Sequence, residues 1–249
     1  MVVRNPGRAG RCGFSAALSA VRTIHVALGS VIIRVICSAR KGSRDVSADR
    51  TAIDLYWLPL GAGGRSVRLN GRLFEAVAAA LGRRRVCDLY HSALEARVPE
   101  GRFVIEMAPI PVDDAPGRGV VAEGAVGAGV ARRLRLFRYE VRCWRDGVIP
   151  DVAEAVESPR RLSDDPDCAR RLLELVPHVP TPVWGRDELR TGDMWNSNSL
   201  ISWLIARSGL DIEPIKPPTG GRAPGWRAGI AVARRQQVHA ARSQVVTRC

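Results

Sequence analysis

Two sets of residues alternate between positions 134 and 144. Leu134, Leu136, Arg138, Glu140 and Arg142 stand against Arg135, Phe137, Tyr139, Val141 and Cys143. A period of two is the mark of a β-strand, because successive side chains point to opposite faces. Neighbouring segments read the same way. Residues 53–60 form a short strand that ends at proline, and residues 86–98 form a longer one centred on 89–94. Pro99-Glu100-Gly101 supplies a turn, so residues 102–108 are the second strand of a hairpin. Short strands are also expected at 120–121 and 230–232.

Helical spacing breaks into this pattern at defined places. Asn70 caps a helix over residues 71–81, with Leu73, Phe74, Val77 and Leu81 on one face, Gly82 as its stop and three arginines beyond. Residues 151–156 suit a helical turn, and Asp165-Pro166 opens a helix through Leu175. The last helix begins near Asn196, carries Leu200, Ile201, Leu204 and Ile205 on one face, and ends at Gly209 after Arg207. The expected fold class is α+β, an antiparallel sheet with packed helices, in one domain over residues 51–235. A basic extension (1–50) precedes it and a short tail (236–249) follows.

Composition narrows the function classes. The chain has 249 residues, 46 % of them hydrophobic, which is enough for a core and too apolar for a disordered polycation. Near the N-terminus the longest run without charge or proline is residues 23–33, short of the ~20 residues a membrane span needs. No integral membrane span is expected. The net charge is +13, but 36 of the 38 basic residues are arginine, a bias that GC-rich coding sequence produces. Residues 1–50 carry nine basic side chains against Asp45 and Asp49, and the final 14 residues add two more, so residues 51–235 keep only +4. Basic residues interleaved with aromatics are missing from that part, so nucleic acid is not an expected partner.

The six cysteines and four histidines are scattered, with no Cys-x-x-Cys, so neither a metal site nor a disulfide framework is expected, and no cofactor is implied. Reduced thiols suit a cytoplasmic protein. The first 44 residues hold no acid and resemble a targeting segment; an over-extended start or a poorly ordered tail is the favoured reading. Gly61-Ala62-Gly63-Gly64 lacks the following Lys-Ser/Thr of a P-loop, and Gly124, Gly127 and Gly129 lack the strand-to-helix setting of a dinucleotide fingerprint.

Three residues can form a chemical constellation. His91 lies mid-strand in Asp88-Leu89-Tyr90-His91-Ser92-Ala93-Leu94-Glu95, Glu106 lies on the next strand, and Ser197 opens a helix in Asn196-Ser197-Asn198-Ser199. A hydroxyl at a helix N-terminus faces unpaired N–H groups that stabilise an oxyanion. A strand histidine can take its proton, and a carboxylate can orient the imidazole. Trp195, Asn196 and Arg222 are candidates for substrate binding, the arginine as a clamp for an anionic group.

This order, with a strand His in a Tyr-His-Ser-Ala-Leu-Glu context and an Asn-Ser-Asn helix start about 100 residues later, resembles the circularly permuted papain-like proteins. These include lecithin retinol acyltransferase-like proteins, permuted NlpC-type peptidases and PPPDE-type peptidases. The resemblance implies an amide or ester hydrolase, or an acyltransferase, with His91 as base, Glu106 as orienter and Ser197 as nucleophile, acting on a small-molecule, peptide or lipid substrate. It departs at the nucleophile, which in the family is cysteine. A hydroxyl is far less acidic than a thiol and needs more help from its base. Plainer roles suit the same residues: Asn and Ser are the preferred helix caps, a strand histidine often only hydrogen-bonds, and Glu106 can pair an arginine. The rival reading is a non-catalytic binding or structural protein of the same fold. A third is a binder of nucleic acid or of anionic surfaces through the basic N-terminal segment.

Overall fold

The structure is a computed structural model that describes residues 50–60, 83, 85–110 and 117–247, all within the unit Val46–Cys249. The helix expected at 71–81 and the glycine loop at 61–64 lie outside the described residues. Six strands form one sheet: β1 (Ala52–Pro59), β2 (Tyr90–Val98), β3 (Gly101–Pro109), β4 (Val120–Ala125), β5 (Arg138–Arg145) and β6 (Val156–Ser163). Their spatial order is β4-β5-β3-β2-β1-β6, and every neighbouring pair is antiparallel. Three α-helices follow: α1 (Pro166–Leu175), α2 (Ser197–Arg207) and α3 (Trp226–Thr247). The α+β class and the antiparallel sheet agree with the sequence.

Alternation along the strands builds the main core. Ile53, Leu55 and Trp57 of β1, Leu94 and Val98 of β2, Ile105 and Met107 of β3, and Tyr139 and Val141 of β5 share one face. All three helices pack there, through Ala169 and Leu172, through Leu200, Ile201, Trp203 and Leu204, and through Trp226, Ala228 and Val232. Each large side chain so buried contributes about 1.5–3 kcal/mol. The Trp57 and Trp226 rings meet at 4.9 Å between centroids.

The helix ends follow the sequence closely. Asp165 caps α1 by accepting from the Asp167 amide at 2.9 Å, with Pro166 in the first turn. Asn196 caps α2 in a reciprocal box: its side chain accepts from the Asn198 and Ser199 amides, and the Ser199 hydroxyl accepts from the Asn196 amide. After the C-cap Ser208, Gly209 takes a left-handed conformation, with φ of 88°.

Three expectations change. Residues 134–137 continue the alternation of β5 but lie outside it, Leu134 as a bend and Arg135–Phe137 as a 3-10 turn, because β5 pairs only as far as Tyr139 with Pro109 and Arg138 with Ala125. Beyond these pairs no further strand pairing is seen among the described residues, and only Val126 N still reaches the Phe137 carbonyl. The strand expected at 230–232 is part of α3, which also runs through the boundary expected at residue 235. Trp226, Gly229, Val232 and Gln236 recur at helical spacing and face α2, where Gln236 accepts from the Trp203 indole at 2.9 Å. Finally, β6 was not foreseen: Pro159 argues against a central strand but is tolerated here at the sheet edge.

Candidate functional site

The residues that could carry chemistry sit around the start of α2, and the parity of β2 decides which of them meet. Ser92 pairs with Trp57 across β1 and β2 and points to the helix face, where its hydroxyl donates to Asn198 Oδ1 at 2.9 Å. His91 precedes it and pairs with Leu58, whose side chain belongs to the smaller cluster of Tyr56, Leu58, Ala93, Val104 and Ile149 on the reverse face. Adjacent strand residues point opposite ways. The His91 imidazole therefore leaves β2 on the face opposite α2, the helix that Ser197 opens. His91 is half-buried, and desolvation lowers its pKa to about 4 despite the opposing charge of Asp151.

Glu106 shares the reverse face but has another partner. Its Oε1 accepts from Arg142 Nη1 at 2.9 Å. Desolvation raises its pKa, while Arg142 opposes the rise. It belongs to one of two groups of paired ions on this face, which together draw on five strands and the loop before β4. Arg142 also donates to Glu140 at 2.8 Å, and Arg118 reaches the other Glu140 oxygen at 2.9 Å. Desolvation alone would raise the Glu140 pKa, but the hydrogen bonds from Arg118 and Arg142 outweigh it and hold the carboxyl below its usual range. Farther along, Glu95 pairs with Arg97 and with Arg102 at 2.8 Å, and Asp54 pairs with Arg97 at 3.4 Å and Arg161 at 2.6 Å. Arg102 extends to the Gly147 carbonyl at 2.7 Å.

At the start of α2, the side chains of Asn196, Asn198, Ser199 and Ser202 are engaged by the chain itself. Ser197 is the first helical residue and only 5 % exposed. Asn196 and Asn198 both donate to the Pro224 carbonyl, at 2.9 and 2.8 Å, and Asn198 also donates to the Tyr90 carbonyl at 2.9 Å. The Ser199 hydroxyl donates to Gly225 O and that of Ser202 to Trp226 O, each at 2.8 Å. Asp193 accepts from the Gly225 amide at 2.9 Å. Together these groups staple the segment leading into α3 onto α2 and β2. A Cβ on Gly225 would lie 2.3 Å from Asn196 Oδ1, and one on Gly229 2.1 Å from the Ser199 carbonyl oxygen, so the two helices meet at backbone distance.

The expected substrate-binding residues serve the same architecture. Trp195 is 2 % exposed within the core. Arg222 pairs its backbone with the entry to β2, its amide donating to Asp88 O and its carbonyl accepting from Tyr90 N. Sequence reasoning missed Ser92, Asn198, Ser199, Ser202 and Asp193 as one network. The available signal was the density of small polar residues on an otherwise apolar helix.

Among the described residues, no group of three or more His, Cys, Asp or Glu is arranged to hold a metal ion. No described helix is long and apolar enough to cross a membrane. Comparison with protein-family models, with curated proteins and with solved structures finds no match to this chain.

Proposed function

We propose that this chain is a non-catalytic binding or structural protein on a permuted papain-like scaffold. The observation that carries the reading is that His91 leaves β2 on the face opposite the helix that Ser197 opens. A serine hydroxyl without a base in hydrogen-bond reach is a poor nucleophile. The commitment of Asn196, Asn198 and Ser199 to the Pro224–Gly225 segment supports the same view, since it turns the helix start into a staple. The scaffold reading rests on order: antiparallel strands bearing His91 and Glu106 come first, and a buried helix opened by Asn-Ser-Asn follows.

A serine-directed fluorophosphonate probe tests this against the hydrolase or acyltransferase alternative. The wild-type protein is expected to remain unlabelled under conditions that label a competent serine hydrolase. Wild-type labelling that disappears in Ser197→Ala overturns the proposal.

A further inference from the structure

The connection between β4 and β5 is built unlike any other described part of the surface. From residue 124 to residue 139 the chain carries Arg132, Arg133, Arg135 and Arg138 and no acid. Two 3-10 turns, Gly129–Arg133 and Arg135–Phe137, bury none of their residues. Val130 is 82 %, Leu134 61 %, Leu136 77 % and Phe137 41 % exposed. Four large apolar side chains within eight residues are thus turned to solvent between arginines, where folding would ordinarily cover them.

The display is an ordered one. Amides of Ala131, Leu134 and Phe137 donate to the carbonyls of Ala128, Ala131 and Leu134 in succession, and Val126 N donates to Phe137 O to close the base. Arg186 Nε holds the Gly127 carbonyl at 2.7 Å, and Gly127 N donates to Trp184 O at 3.0 Å. The neighbouring acids all have partners, one of them the tip's own Arg138. Glu123 pairs with Arg138 at 3.6 Å, Asp187 accepts from the Thr191 and Gly192 amides, and Glu188 accepts from the Val183 amide.

From this tip we infer that the protein docks on an anionic lipid surface. Exposed apolar side chains enter the boundary between headgroups and acyl chains, while flanking arginines meet the negative headgroups. The apolar half of the chemistry selects this occupant over nucleic acid, whose phosphates would engage the arginines and leave Leu134 and Leu136 in water. This inference is independent of whether Ser197 reacts.

Flotation of the full chain with phosphatidylcholine vesicles, with and without phosphatidylserine, is the test. Binding is expected only when phosphatidylserine is present, and it weakens as salt rises. Leu134→Ser with Leu136→Ser, and separately Arg132→Gln with Arg133→Gln, should each lower partitioning by about fivefold or more. The thermal midpoint should not move, since the Leu134 and Leu136 side chains are largely exposed. Absence of wild-type binding overturns the inference. So does undiminished flotation of both double variants, which would transfer the binding to the basic residues of 1–50. Tight duplex DNA binding that is lost in the arginine variant but kept in the leucine variant, without vesicle binding, would make the tip a polyanion site.

Discussion

One face of the sheet lies under three helices and holds Ile53, Leu55, Trp57, Leu94, Ile105 and Val141. The other face is buried too, yet it holds Asp54 at 2 %, Glu95 at 5 %, Glu106 at 7 %, Glu140 at 2 % and Arg142 at 6 % exposure. The first is stabilised by removing apolar surface from water, which tolerates changes of shape if volume is kept. The second must replace the hydration of each ion with a partner, and it is stable only while every partner is present. The contrast bears on function. Arg97, Arg102, Arg118, Arg142 and Arg161 are tied to carboxylates inside the fold, so a high arginine count does not translate into a charged docking surface. What a partner meets is set by residues outside these ion pairs.

The sharpest way to break the contrast is Arg142→Ala. It leaves Glu106 and Glu140 without their shared guanidinium and should cost about 3–5 kcal/mol in urea unfolding, whereas adding Glu106→Gln and Glu140→Gln should restore much of that loss. If the single variant unfolds like wild type, these ion pairs are ornament. Gly229→Ala probes the other face. In an ordinary helix this change helps by about 0.5–1 kcal/mol, but a Cβ 2.1 Å from the Ser199 carbonyl oxygen should instead destabilise by about 1–3 kcal/mol. A stabilised variant would show that the helices do not meet as described.

The smallest effect is the pH dependence of His91. Its folded pKa of about 4 lies below the ordinary 6.5, so the folded state prefers the neutral ring. The stability this provides is complete above the unfolded value and is lost as pH falls toward the folded one. Allowing for partial exposure, about 1–2 kcal/mol should disappear between pH 6.5 and pH 4.5, and His91→Gln should flatten that part of the curve. The held-down carboxyl of Glu140 releases its own contribution only at lower pH, below the ordinary carboxylate range. An unchanged slope in His91→Gln would remove the ring from the buried face.

Local signals in the sequence were enough for the hairpin of β2 and β3 and for the starts of α1 and α2, because Pro99-Glu100-Gly101, Asp165-Pro166 and Asn196 act within a few residues. Features that depend on distant partners were not legible. Arg135 to Phe137 lose their strand because neighbouring strands run out, and Ile230 to Val232 join a helix because α2 lies beside them. The face taken by His91 was not legible for a related reason. In β2 both parities carry apolar residues, Tyr90, Leu94 and Ala96 on one and Ala93 on the other, so composition does not say which side His91 takes. The bond from Ser92 to Asn198 settles it, and that bond spans 106 residues.

The close meeting of α2 and α3 also says how relatives of this chain can be found. At Gly225 and Gly229 the requirement is for a side chain to be missing, which no chemical substitute can satisfy. The Asn-Ser-Asn start and the strand histidine attract notice as reactive groups, but other hydrogen-bonding residues can serve as staples. Sequences sharing this architecture should therefore be sought by the spacing of two glycines around Trp226 behind a serine-rich helix, and reactive residues used only to ask which of them retained or acquired chemistry.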